Sequence, residues 1–348
     1  MQTKIKGNEK NVNINLVKTT YIRYALTLVV LALTYGLLMF LVNQGIIDNY
    51  ILRIMKQVGI FVIAALGLNL ILGFTGQFTM GHAAFMSIGA YASAIMTKNF
   101  DIPFPIALIV GVILSAILAA LIGYPILRLK GDYLAICTLG FGEIVKVIIQ
   151  NVDYVGGARG ISAIPTKTSF LIVFFGVALC YAILKNLIHS SKGRAIMSVR
   201  EDEIAAEAMG INSTKYKMIA FIIGSSMAGL AGGLYAHFNT FIDPASFNFA
   251  KSIELITYVV LGGMGSLSGT VLGTTILIYL PEGLRGLSSV FKDYRMLIYA
   301  FLLVLMMIFR PQGILGTREI SVANIIKFIK GIKNMSFKDI LKRKKAGE

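Results

Sequence analysis

Nine apolar runs of roughly membrane-spanning length succeed one another between Tyr24 and Phe309, and they constrain the chain more than any single motif does. They fall at about 24–42, 57–74, 80–97, 104–127, 133–150, 170–188, 216–238, 252–280 and 296–309. A hydrocarbon layer of ~30 Å takes about 20 helical residues, and only helices or closed barrels satisfy their own backbone there. The runs therefore predict an all-α polytopic membrane protein. Charge is correspondingly scarce: 14% of the 348 residues are Asp, Glu, Lys or Arg and 56% are apolar. A soluble domain has about 25% charge, so a soluble enzyme and a disordered chain are both excluded. The run 24–42 exceeds a signal-peptide core and lacks a small-residue cleavage site, so it is expected to stay as the first span.

Charge asymmetry settles how the longest run is counted. The tail 310–348 carries ten Lys/Arg against three acids, and residues 1–23 carry five against one. The positive-inside rule places both ends in the cytoplasm, which requires an even number of crossings. Run 252–280 is interrupted by Gly262-Gly263-Met264-Gly265-Ser266. Splitting it there gives about ten membrane segments and meets the condition. The expected layout is a basic cytoplasmic N-tail (1–23), a transmembrane domain (24–310) and a basic cytoplasmic C-tail (311–348). Of the net charge of +16, +13 then lies on the cytoplasmic side, on the tails, the Arg128–Asp132 turn and the loop 189–217. A balance that would otherwise suggest nucleic acid is an orientation signal, and no nucleic-acid partner is expected. Arg53 and Lys56 fit poorly, because they fall on the outer side; they either snorkel to headgroups or cover a partner. Lys327, Lys330 and Lys333 alternate with apolar residues over 325–333, a segment that either lies on the inner leaflet or forms a disordered basic tail.

Enzymatic chemistry is missing. His82, His189 and His237 are far apart, Cys137 and Cys180 sit in apolar runs, and no Gly-Lys dipeptide offers a phosphate-binding loop. No catalytic residue, metal or cofactor is expected, and any ATP-driven motor must be a separate subunit. The informative features are two Gly-rich breaks, at 73–82 and 262–269. Paired breaks point to an inverted repeat of discontinuous helices and to a path near the midplane, lined by Gly76, Gln77, Thr79, Gly81, His82, Gly262, Gly263, Gly265 and Ser266. Unwound backbone and half-helix ends meet the carboxylate and ammonium of a zwitterion there without a buried full charge. Singly, each break reads equally well as close helix packing; as a pair they favour a path. His82 is either a path-lining donor or a helix-cap partner. Glu143 and Lys146 stand at i, i+3 within one span, either as a functional pair or as a self-neutralised structural one. Loops 151–169 and 239–251 are candidates to face a soluble partner.

The connection 189–215 is the longest one between spans on the cytoplasmic side. Ile204, Ala208 and Ile211 predict a short amphipathic helix capped by Asp202 and ended at Gly210, with Ala205 and Ala206 small enough for close approach of another surface. Alanine-alanine, three residues, then glycine in such a loop resembles the coupling-loop motif of ABC-importer permeases. Here Ile204 stands where Glu is usual, with Glu203 one position earlier.

Gly76-Gln77-Phe78-Thr79-Met80-Gly81-His82-Ala83-Ala84-Phe85, continued by Gly89-Ala90-Tyr91, is similar to the signature of branched-chain amino-acid ABC permeases, with Thr79 where Ser is commoner. Lys130 to Ile136, Thr138 to Ile144, Gly156 to Ile161 and Phe309 to Gly313 resemble the M-type subunit rather than the H-type. The resemblance covers about residues 55–315. It implies a bacterial-type cytoplasmic-membrane subunit that pairs with a homologous H-type permease, two ABC ATPase subunits and an extracytoplasmic solute-binding protein. It also implies alternating access, with Arg200, Glu201, Asp202, Glu203, Ala205, Ala206 and Gly210 coupling to the ATPase. The cargo stays open among branched-chain amino acids, urea, short amides and other amino acids. A stand-alone secondary transporter or channel explains the spans and breaks but not the loop motif.

Overall fold

A computed structural model describes residues 32–42, 44–45, 47–129 and 131–285, with short stretches at 300–301, 304–305, 308–310, 312–316 and 319. The N-tail, most of the last run and the C-tail segment 325–333 lie outside the described residues. Those described form helices without a strand. In order they are α1 (Ala32–Val42), α2 (Asn49–Asn69), α3 (His82–Lys98), α4 (Phe104–Ile126), α5 (Asp132–Asn151), α6 (Phe170–His189), α7 (Ser191–Glu201), α8 (Glu203–Ala208), α9 (Ser213–Asn239), α10 (Phe249–Gly262) and α11 (Leu267–Arg285). Run 252–280 is thus two helices, divided at the Gly-rich break. Helix starts follow local chemistry: Ser169, Ser190, Asp202, Asn212 and Asn248 each accept a first-turn amide with their side chain. Each such cap is worth about 1 kcal/mol relative to alanine.

Four helices among the described residues are long and apolar enough to cross a membrane: α2 with its extension to Phe74, α4, α6 and α9. Their surroundings differ. The α2 interior from Ile60 to Phe74 is buried throughout. In contrast, α4 exposes Ile106, Ile109, Ile113, Ile117 and Leu121, and α6 exposes Leu171, Phe175, Leu179 and Ile183. Both stripes recur every three to four residues, the pattern of a helix with one face on the bundle and the other on lipid. The centre is α2, α3, α4 and α9, drawn together through small residues. A Cβ at Gly89 would come within 2.0 Å of the Gly229 carbonyl, so α3 and α9 touch backbone to backbone. Close approach of this kind drives helix association in lipid, where the hydrophobic effect does not operate.

Helix direction follows from contacts at the ends. Arg53 and Lys56, at the start of α2, lie 5.7 and 5.6 Å over the Phe238 ring at the end of α9. The poorly fitting cations therefore stack on an aromatic of their own chain. Nearby, Ile161 and Ile242 exchange backbone hydrogen bonds of 2.9 and 3.0 Å, which joins the two loops 152–169 and 240–248. Helix α6 runs about 30 Å from the first of these loops to α7, so α7 and α8 mark the opposite end. Tyr50 at the start of α2 bonds Glu282 near the end of α11, while Asn69 at the far end of α2 bonds Ser266 just before α11. Helices α2 and α11 are consequently antiparallel neighbours.

Candidate functional site

Both Gly-rich breaks are turning points. Helix α2 widens into a π-turn over Leu70–Phe74, leaves helical geometry from Thr75 to Gly81, and returns as α3. Helix α10 ends at Gly262, turns through Gly263–Ser266 and returns as α11. The tips meet. The ideal Cβ of Gly73 would sit 2.5 Å from the Gly265 amide nitrogen, a distance only glycine allows. Asn69, fully buried, fastens them: its Nδ2 donates to the Ser266 carbonyl (3.0 Å) and Thr270 Oγ1 (2.7 Å), and its Oδ1 accepts from the Gly265 amide (2.9 Å).

This geometry corrects the expected depth. Arg200, in the last turn of α7, donates through Nη1 to the Gly73 carbonyl at 2.5 Å, which places the breaks toward the α7–α8 end rather than at the midplane. The cause is chain reversal: glycines that permit a tight return mark where two helices turn, not where one straight helix is interrupted. Counterparts in an inverted repeat would turn at opposite ends, whereas these two turn at the same end. Helix α10, at 14 residues, spans about 21 Å, so its tip stops short of a full crossing and is buried in protein.

The first turn keeps an open polar group. Gln77 is 3% exposed, and neither its Nε2 nor its Oε1 has a partner among the described residues, although its amide N–H donates to the Ile71 carbonyl at 3.0 Å. An unsatisfied buried polar group costs about 1–3 kcal/mol, so the Gln77 side chain is held here at a cost that the described residues do not offset. Gly76 beside it is exposed at φ +73°. Thr79 and His82 make contacts within the fold, although His82 Nδ1, like the Gln77 side-chain amide, is buried without a partner among the described residues. Thr79 Oγ1 lies near the Gly81 amide, and Thr138 Oγ1 of α5 accepts from the Met80 amide at 3.0 Å. His82 donates its Nε2–H to the Ala64 carbonyl at 3.1 Å, tying α3 to α2.

The second turn is filled by its own chain. The amides of Ile314 and Leu315 donate to the carbonyls of Leu261 and Gly262 (2.8 and 3.3 Å), which caps the end of α10. The Glu319 carboxylate accepts from the Leu267 and Ser268 amides and from Ser268 Oγ, which caps the start of α11. The half-helix start offered to a solute carboxylate is therefore occupied. Gly263 (φ +119°) and Gly265 (φ +87°) take backbone conformations that favour glycine, and Ser266 Oγ accepts from the Gly269 amide at 3.0 Å.

The connection 189–215 is an elbow of two helices. Asp202 accepts from the Ile204 and Ala205 amides and so starts α8, and Gly210 ends the segment at φ +83°. Glu203 pairs with Lys217 at 2.6 Å and Glu207 bonds Ser213, bracing α8 against α9. Ala206 is buried at 5% exposure, so of the two alanines only Ala205 faces outward; one helical step turns adjacent residues by about 100°. Ile204 and Met209, in contrast, are 76% and 82% exposed beside Ala205 and Glu201. Away from the elbow, Glu143 and Lys146 pair at 2.9 Å on a face of α5 where Tyr133, Ile136, Ile144 and Val147 are also uncovered.

Reasoning from sequence missed Asn69, Thr138 and Glu319. Asn69 had a signal, the one polar side chain between Val58 and Phe74, which must find partners. Nothing in the sequence near 319 announced that it folds back on the second turn.

Buried helical hairpins, lipid-suited faces and a projecting apolar elbow together define a polytopic α-helical membrane permease. The chain belongs to the family described as the branched-chain amino acid transport system permease component, whose model matches residues 50–307. It is 36% identical over 327 residues to the high-affinity branched-chain amino acid transport system permease protein LivM of Salmonella typhimurium, covering 84% of this chain and 74% of that one. The corresponding LivH of the same organism is 27% identical over 75% of this chain and 92% of its own. A probable LivM from Methanocaldococcus jannaschii is 26% identical, covering 78% and 95%. No solved structure matches.

Proposed function

We propose that this chain is the M-type permease subunit of an ATP-driven importer for branched-chain amino acids, working by alternating access in a cytoplasmic membrane. The reading has ten membrane segments with both tails inside, so the α7–α8 elbow and both turns lie at the cytoplasmic end. An H-type permease, two ABC ATPase subunits and an extracytoplasmic binding protein complete it. The observation that carries the reading is α8: Ile204 and Met209 stand in solvent on a helix whose other contacts are internally satisfied, a small apolar surface suited to an ATPase groove. The α5 face supports the permease pair, since a mid-helix Glu143–Lys146 pair facing lipid is costly and a protein neighbour relieves that. At the opposite end, the joined loops around Ile161 and Ile242 form the surface suited to a binding protein. Within the path, the free Gln77 amide meets the zwitterion.

The test replaces Ile204 and Met209 together by Asp in the complete importer reconstituted in proteoliposomes. Both side chains are exposed, so insertion is expected to be unchanged while ATPase subunits no longer co-purify and ATP-driven uptake is lost. Wild-type uptake by this double variant, or ion-gradient-driven flux through the isolated chain, defeats the reading.

A further inference from the structure

We infer that Arg200 is a positioning residue that holds both glycine turns closed at the cytoplasmic end and transmits the movement of the elbow to them. The inference rests on the importer reading above and adds the physical link that reading lacks. Arg200 lies in the last turn of α7, two residues before the Asp202 cap of α8. Its Nη1 donates to the Gly73 carbonyl at 2.5 Å, at the end of the α2 hairpin arm. A Cβ on Gly265 would come within 2.7 Å of the same Nη1, and one on Gly76 within 3.3 Å of Arg200 Cγ. One side chain therefore touches the end of α2, the first turn and the second turn.

The chemistry suits a cation. Carbonyls at a helix C-terminus lack intrahelical partners and carry partial negative charge, and the guanidinium answers both. Among the described residues it has no carboxylate partner, so its charge is directed at this carbonyl rather than neutralised elsewhere. Asn69 joins the two tips from one side and Arg200 closes them from the elbow's side. Asn69 moves only with α2, whereas Arg200 moves with α7. A shift of α7 and α8 that draws the guanidinium away from Gly73 leaves the tips linked only through Asn69 and frees Gly76 and Gln77 to part from Gly265.

The experiment uses the complete importer in proteoliposomes, with uptake per ATP hydrolysed as the readout. Arg200→Cys is made in a Cys137→Ser background, since Cys137 is exposed and Cys180 is buried. We expect normal insertion and ATPase co-purification, with uptake per ATP lower by about tenfold. Aminoethyl methanethiosulfonate, which rebuilds a cationic side chain after folding, restores the ratio; the anionic sulfonatoethyl reagent does not. Arg200→Lys is expected to retain more of the ratio than Arg200→Gln. An unchanged ratio in Arg200→Cys and Arg200→Gln, equal effects of both reagents, or loss of ATPase binding in these variants overturns the assignment. Failure of the importer reading itself shows separately, as absence of ATP-dependent uptake in the unsubstituted protein.

Discussion

The two glycine turns look alike in sequence and differ in how their polar groups are used. At the second turn, chain ends that would otherwise be open are satisfied by Ile314, Leu315 and Glu319, and its centre by Asn69. At the first, Gln77 is buried with a free amide and Gly76 is exposed. On the importer reading proposed above, the second turn, with its polar groups paired, is the anchor and the first is the surface that meets a solute.

The strongest way to break this contrast is Asn69→Ala, which removes three hydrogen bonds shared by the two tips. The Gly265 amide is left buried and unpaired, while the Ser266 carbonyl still accepts from the Thr270 amide and hydroxyl, so we expect a loss of about 2–3 kcal/mol. It should appear as a lower melting temperature of the purified complex and absent uptake. Gln77→Leu sharpens the contrast from the other side. It keeps the volume and deletes two unpaired atoms, so melting should be unchanged or higher while uptake falls by about tenfold, the worth of one or two lost hydrogen bonds to solute. Lower melting with intact uptake removes Gln77 from the path. Glu319→Ala is the mildest, opening the start of α11 at a cost of about 1 kcal/mol. A small drop in melting with uptake within about twofold of normal is expected; total loss of uptake means the second turn is not merely an anchor.

Much of this was legible residue by residue. The apolar runs, the Asp202 cap and the Gly-rich breaks located most helices to within a few residues. Local chemistry suffices for these features because a cap satisfies its own first turn and a bilayer admits little but helices. The Asp202 cap and the Gly210 end of α8 were readable for the same reason. The inward turn of Ala206 was not, since Ala205 and Ala206 are chemically identical and only the contacts of α8 separate them. Arg53 and Lys56, an exception to the charge rule in sequence, became ordinary once Phe238 was beside them.

By itself, the sequence determined that this chain lives in a membrane as helices and where its apolar runs break. These properties depend on local composition against a solvent that tolerates no unpaired backbone. Only the tertiary structure decided that both breaks turn at one end, that Asn69 and Arg200 join them, and that Glu319 fills one of them while Gln77 stays open in the other. Those partners lie on average well over a hundred residues apart for the central links, 127 between Arg200 and Gly73 and 196 between Gly265 and Asn69. Pairing across such separations is set by packing, and no local pattern encodes it.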